Sequence, residues 1–145
     1  MMRLGAKGEA LIKSFEKLRL VAYKPTPKDK WTIGWGHTGP EVVEGLTCTE
    51  EEAERWFLTD THWAVLGVIR SLDVAVLQNQ FDALVSFTFN VGITGEAHST
   101  LISHVNQYHW DAAADEFLKW DHQDGKVVEG LLNRRKAERT LFLEV

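Results

Sequence analysis

The stretch from Pro25 to Gly39, PTPKDKWTIGWGHTG, decides how the rest of the chain is read. Its first half holds two prolines, Pro25 and Pro27, and a charged tip at Lys28-Asp29-Lys30, the composition of a turn. Its second half, Thr32-Ile33-Gly34-Trp35-Gly36-His37, is a short strand thinned by glycine. Glycine weakens a strand, so it marks a bend or a place where something comes close to the backbone. With the β-prone Val21-Ala22-Tyr23 and Trp31-Thr32-Ile33, residues 19–46 form a small antiparallel hairpin sheet. So few strands have no stability alone and require helices to pack on.

Helical patterns flank this segment on both sides. Ala10, Leu11, Phe15 and Leu18, with Ile12 beside them, place one apolar face on a helix from Ala6 to Leu18, with Glu16 near its end. Thr49-Glu50-Glu51-Glu52 is a capping box, with Thr47 and Glu50 as a competing choice, and opens a long helix to about Arg70. Leu77 to Asn90 is a second strong helix, with Leu77, Phe81, Leu84, Val85 and Phe89 on a broad apolar face and Gly92 and Gly95 ending it. Shorter helices follow at about 98–107 and 110–120, then a polar loop at 121–130 and a last helix from Gly130 to Phe142. The fold class is α+β, mostly α, in one domain over 1–145. A small β-containing lobe at about 17–60 stands beside a helical lobe at about 61–145 plus the N-terminal helix, with a cleft as the expected ligand site.

Composition narrows the function. The chain has 145 residues, 44% hydrophobic and 26% charged, as in an ordinary globular domain. A formal net charge of −5 does not suit a nucleic-acid binder. The run Arg134, Arg135, Lys136 and Arg139 reads as a solvated helix face. The single cysteine, Cys48, allows no internal disulfide and suits a reducing compartment. No run of residues has the pattern of a signal peptide or a membrane span, so no stable membrane insertion is expected.

The catalytic options reduce to carboxylates. The six histidines show no His-Glu-x-x-His spacing, so no metal site is expected. There is no Gly-x-Ser-x-Gly elbow, no Walker loop and no dinucleotide fingerprint. Cleavage of a glycosidic bond needs two carboxyl groups, one of them kept protonated by poor solvation. Glu16, at a helix end facing the hairpin, is placed for that role, although periodicity alone makes it a surface residue.

Ser14-Phe15-Glu16-Lys17-Leu18-Arg19-Leu20, Ala22-Tyr23 and Trp31-Thr32-Ile33-Gly34-Trp35-Gly36-His37-Thr38 carry a resemblance to the phage-type lysozymes, glycoside hydrolase family 24. It continues through Thr49 to Glu54, Gln78 to Phe87, Phe89-Asn90-Val91-Gly92, Ser99-Thr100-Leu101, Ala113 to Phe117, and Gly130-Leu131 with Arg134, Arg135 and Glu138. It implies a two-lobed, mostly helical, cofactor-free, inverting muramidase that cleaves the β-1,4 bond between N-acetylmuramic acid and N-acetylglucosamine in peptidoglycan. In phage such enzymes are endolysins that lyse the host.

By this resemblance Glu16 is the general acid, and the Thr32 hydroxyl helps hold the attacking water. The family's Asp is missing from its usual place: nine residues after Glu16 stands Pro25, and six before Thr32 stands Thr26. Three readings follow. Asp29, the only Asp between Glu16 and Thr32, supplies the carboxylate from a remodelled turn; this one is favoured. Alternatively Thr26 with Thr32 orders the water, or the enzyme is impaired. Asp29 is also an ordinary turn residue.

By the same resemblance Thr38 and, on the opposite lobe, Thr100 are candidate sugar contacts. Trp35 and Gly36 join them as an aromatic and a bare backbone on the lip of the cleft, while Trp56 and Trp120, aromatics at helical spacing, serve the core. His37 is a structural histidine paired with an acid, and Arg134 or Arg135 approaches Glu16. The expected partners are peptidoglycan glycan strands, with a monomer that depends on a phage holin for passage from the host cytoplasm to the periplasm. Two other classes stay open: a catalytically silent peptidoglycan-binding protein on a lysozyme fold, and a lytic transglycosylase working with one Glu.

Overall fold

A computed structural model describes residues 1–123 and 125–144. The elements run α1 (Ala6–Glu16), β1 (Arg19–Tyr23), β2 (Thr32–Gly34), α2 (Glu50–Ser71), α3 (Gln78–Val91), α4 (Ile93–Ala97), α5 (Thr100–Asn106), α6 (Trp110–Phe117), β3 (His122–Gln123), β4 (Lys126–Val127) and α7 (Glu129–Phe142). The chain divides into two compact units, residues 12–62 and residues 1–11 with 63–145. The first boundary falls inside α1, earlier than the turn after it.

In the 12–62 unit, β1 pairs antiparallel with β2, Arg19 opposite Gly34 and Tyr23 opposite Thr32, with an irregularity between. The far edge of β1 is also paired: Ala22 donates to the Leu46 carbonyl at 2.9 Å, and Cys48 donates to that of Leu20 at 2.9 Å. Ala22, Ile33, Val42, Cys48 and Ala53 form the buried cluster, with Leu18, Trp31, Trp35, Leu46 and Trp56 packed against it. The hairpin thus gains its stability from the first turns of α2, as its shortness requires. Thr49 closes a true capping box: its Oγ1 accepts from the Glu52 amide at 3.1 Å while Glu52 Oε1 accepts from the Thr49 amide at 3.0 Å. Thr49, not Thr47, is therefore the cap.

In the other unit α3 is the centre, with residues 81–88 all buried. Phe87 meets Phe117 and Trp120 edge-on, with ring centroids 5.5 and 5.3 Å apart, and Phe142 lies 5.5 Å from Phe117. α3 ends at Gly92, whose φ of 95° turns the chain out of the helix.

Several details differ from the sequence reading. On α1 the fully buried side chain is Ile12, while Ala10 is exposed. Leu77 is the N-cap of α3 and is exposed, not part of its apolar face. Gly95 lies inside the short α4, and residues 121–130 carry the two-residue strands β3 and β4. The largest correction concerns the basic run. Arg134 and Arg135 are buried, at 4% and 0% exposure, because Glu138, one turn on and itself fully buried, neutralises both. Lys136 is exposed, and Arg139 pairs with Asp115 at 3.0 Å.

Candidate active site

The close approach that the glycines call for is made by the protein's own acid. Glu16 is the last residue of α1. Lys17, at φ 55°, turns the backbone out of the helix, and its amide still donates to the Lys13 carbonyl at 3.1 Å. The half-buried Glu16 side chain lies against Gly36, where a Cβ would meet Oε1 at 2.7 Å. Gly34, Trp35 and Gly36 form a three-residue loop. Ile33 and His37 close it with reciprocal backbone hydrogen bonds of 2.9 and 2.8 Å. Gly34 and Gly36 both take positive φ, 65° and 87°, a conformation that side chains resist. A Cβ at Gly34 would stand 3.2 Å from that of Ala53, so this glycine serves packing on α2.

Thr32 stands at the head of β2, 7% exposed, and its hydroxyl donates to the Lys30 carbonyl at 3.0 Å. The donor is used, so the oxygen lone pairs remain as acceptors. The turn before it joins the two residues that the sequence treats as alternatives. Asp29 N donates to the Thr26 carbonyl at 3.0 Å, and Thr26 Oγ1 donates to Asp29 Oδ2 at 3.0 Å. Thr26 therefore orients the Asp29 carboxylate.

Tyr23, which sequence reasoning did not single out, ties these groups together. It stands opposite Thr32 across the strand pair, with the Arg19 guanidinium 4.8 Å from its ring centroid. Its phenol is shifted up first by burial, then by the negative charge of Glu16; Arg19 opposes, and Asp29 adds to the rise. Both carboxyl groups thus lie within electrostatic reach of one hydroxyl. No local pattern in the sequence marks it; the strand register puts Tyr23 opposite Thr32.

His37 is structural, as expected. Its Nδ1 pairs with Asp60 Oδ2 at 2.8 Å and its Nε2 with Glu41 Oε1 at 2.7 Å. Its ring stacks on Trp56 at 4.6 Å between centroids, only 6° from parallel. Trp35 packs on the small core, edge-on to Phe57 at 6.4 Å. Thr38 is exposed directly after His37, and Thr100, also exposed, is the first residue of α5 in the other unit. Arg135 stacks its guanidinium 5.1 Å from the Phe87 centroid and donates to Glu138 Oε2 at 3.2 Å, whereas Arg134 donates to the Ser86 carbonyl at 3.2 Å. Cys48 is buried, and burial pushes its thiol up, the state of an unreactive cysteine.

The family described as Phage lysozyme matches residues 13–138. The endolysin of Bacillus phage B103 is 48% identical over 143 residues, covering 98% of this chain and 54% of that protein. The chain thus spans about half the length of this relative. The endolysin of Salmonella phage P22 is 38% identical over 147 residues, covering 99% of each chain. Among solved structures, the muramidase domain of SpmX from Asticaccaulis excentricus superposes with a TM-score of 0.90 at 36% identity, over 100% of both chains.

Proposed function

Because the chain belongs to the phage lysozyme family, we propose that it is an endolysin domain that hydrolyses the β-1,4 bond between N-acetylmuramic acid and N-acetylglucosamine in peptidoglycan. The observation that carries this reading is the seating of the Glu16 carboxylate against the backbone of Gly36, at the end of α1.

Glu16 is the general acid, protonating the leaving oxygen as the bond to the anomeric carbon breaks. Asp29, aimed by Thr26, is the general base. A water has two protons; in this reading the Asp29 carboxylate takes one, and the Thr32 oxygen, whose own proton goes to the Lys30 carbonyl, orients the other. The water oxygen then bonds to the anomeric carbon on the face opposite the leaving group, with inversion. Glu16 ends deprotonated and Asp29 protonated, and exchange with solvent resets both. Holin-assisted passage to the periplasm is the release route proposed with this reading. An epitope-tagged copy found in the periplasm of unlysed cells lacking a holin would count against it.

The test is mass spectrometry of muropeptides released from purified peptidoglycan. Wild type is expected to yield reducing muramic acid ends, and Glu16→Gln and Asp29→Asn to lose them. Thr26→Val is expected to lower the rate without abolishing it. Anhydro-muramic ends would reassign the reaction to a transglycosylase. Full activity of Asp29→Asn would remove Asp29 from the mechanism, and no release by folded wild type would leave a binding protein.

A further inference from the structure

Lys13 lies one turn before Glu16 on α1 and is largely withdrawn from water, its side chain 22% exposed. Its Nζ stands 2.5 Å from Glu54 Oε1 on α2, 5.1 Å from the centroid of the Trp35 ring and 4.9 Å from that of Phe57. Lysine is seldom buried without a reason. Here the ammonium meets the Glu54 carboxylate and the faces of Trp35 and Phe57, each an attractive partner for a cation. An exposed ion pair alone fixes little, because two long side chains must be ordered to make it. The rings change that, since they add to the hold that Glu54 has on the ammonium.

The two chain segments that this contact joins are those that build the acid's seat. Lys13 supplies the carbonyl that closes the last turn of α1, accepting from Lys17 N at 3.1 Å, and Glu16 stands on that turn. Trp35 is the neighbour of Gly36, against which the Glu16 carboxylate lies. A displacement of α1 relative to the loop would open the contact between Glu16 and Gly36, and the ammonium resists it from one turn away.

We propose that Lys13 is a positioning residue for Glu16, its ammonium clamping the last turn of α1 to Trp35 and α2 so that the carboxyl group is held against Gly36. The inference rests on Glu16 being the catalytic acid. Rates are steep in such geometry: a misplacement of about 1 Å costs on the order of a hundredfold. A merely structural lysine would lower the folded fraction and leave each folded molecule equally active.

The experiment measures kcat and KM on soluble peptidoglycan fragments, per folded molecule as judged by circular dichroism at the assay temperature. Lys13→Met keeps the stem and removes the charge, and is expected to lower kcat about tenfold or more with KM little changed. Lys13→Arg, which keeps a cation for both rings and for Glu54, restores most of the rate. Glu54→Gln lowers kcat less than Lys13→Met, and the double variant is no worse than Lys13→Met alone, since both act through one clamp. Unchanged kcat in folded Lys13→Met, or failure of Lys13→Arg to rescue, overturns the proposal. If Lys13→Met does not fold, unchanged kcat in Glu54→Gln and loss of kcat in Lys13→Arg overturn it instead. Glu16→Gln runs beside them: activity in that variant defeats the assignment of the acid itself, whereas an inactive Glu16→Gln with a fully active Lys13→Met defeats only the clamp.

Discussion

Gly36 and Glu16 are in contact, and the contact leaves no room for a side chain on the glycine: a Cβ would lie 2.7 Å from Oε1 and 3.1 Å from Cδ of the carboxyl group. The backbone there is also left-handed, at φ 87°. Gly36→Ala therefore has two separable consequences. Strain at a positive φ costs about 1–2 kcal/mol of stability. The Cβ also meets the far end of a flexible side chain, so Glu16 swings aside rather than the fold giving way. Activity is expected to fall about a hundredfold or more while the protein remains folded at room temperature. Thermal melts and turnover of the same sample check this, and near-wild-type turnover would mean that the carboxyl position does not set the rate.

Glu138 holds the helical unit together through charge. It is fully buried, receives Ser86 Oγ at 2.6 Å, and neutralises Arg134 at 3.4 Å and Arg135 at 2.6 Å. Burial pushes its carboxyl up and the Arg135 guanidinium down, while both arginines and the Ser86 hydroxyl pull Glu138 back towards ionisation. Glu138→Gln removes the carboxylate that two buried guanidinium groups share, a loss of about 3–5 kcal/mol. Ser86→Ala removes one hydrogen bond and costs about 1–2 kcal/mol. Urea denaturation at constant m-value separates the two, and equal losses would show that the charge is compensated elsewhere.

The order of elements and the small sheet were legible because they rest on local signals: the capping box at Thr49, the apolar period of α3, and glycines at positions that proved to have positive φ. Glu16 and Thr32 stand as candidates only through the resemblance of whole motifs, since a helical glutamate carries no sign of its own. The buried arginines were misread because charge runs are judged by type and not by partner. The clue, Glu138 at three and four residues' distance from Arg135 and Arg134, was present. The pairing of Thr26 with Asp29 and the placing of Tyr23 opposite Thr32 depend on the turn's conformation and the strand register, which periodicity does not encode.

His37 fastens the loop that carries Gly36 to α2. It spans Asp60 at 2.8 Å and Glu41 at 2.7 Å and lies flat on Trp56. His37→Gln loses the stack and at least one of the two bonds, and is expected to cost about 2 kcal/mol. The bond from His37 holds the Glu41 carboxyl below its ordinary value. That contribution is present above the carboxylate range and is lost as pH falls through the lowered value. Melting temperature as a function of pH should therefore fall less steeply at acid pH in Glu41→Gln than in wild type. Parallel curves would show that the pair contributes nothing.

Glu96 gives the opposite pH dependence. It sits on α4 with 0% exposure, against Ser71 at the end of α2. Ser71 Oγ lies within hydrogen-bond distance of both Glu96 carboxylate oxygens and, at 3.0 Å, of the Val68 carbonyl. A hydroxyl has one proton. If Ser71 donates it to Val68, the bond to Glu96 needs a proton from the carboxyl group, so the arrangement is best satisfied with Glu96 neutral. Burial acts the same way and pushes the group up from 4.5 to about 7, against a smaller lowering by the Ser71 bond. Below pH 4.5 the carboxyl is protonated whether the chain is folded or not. Between 4.5 and about 7 the folded state keeps a proton that the unfolded state gives up, so stability declines as pH rises. Above about 7 the full penalty is reached, up to about 3 kcal/mol. Glu96→Gln keeps a donor for Ser71 and cannot ionise. It is expected to gain stability over wild type above neutral pH and to lose the advantage by pH 4.5. Chemical denaturation at both ends of that range decides it: a constant difference between the two proteins would mean that Glu96 ionises in the folded state as it does in the unfolded chain.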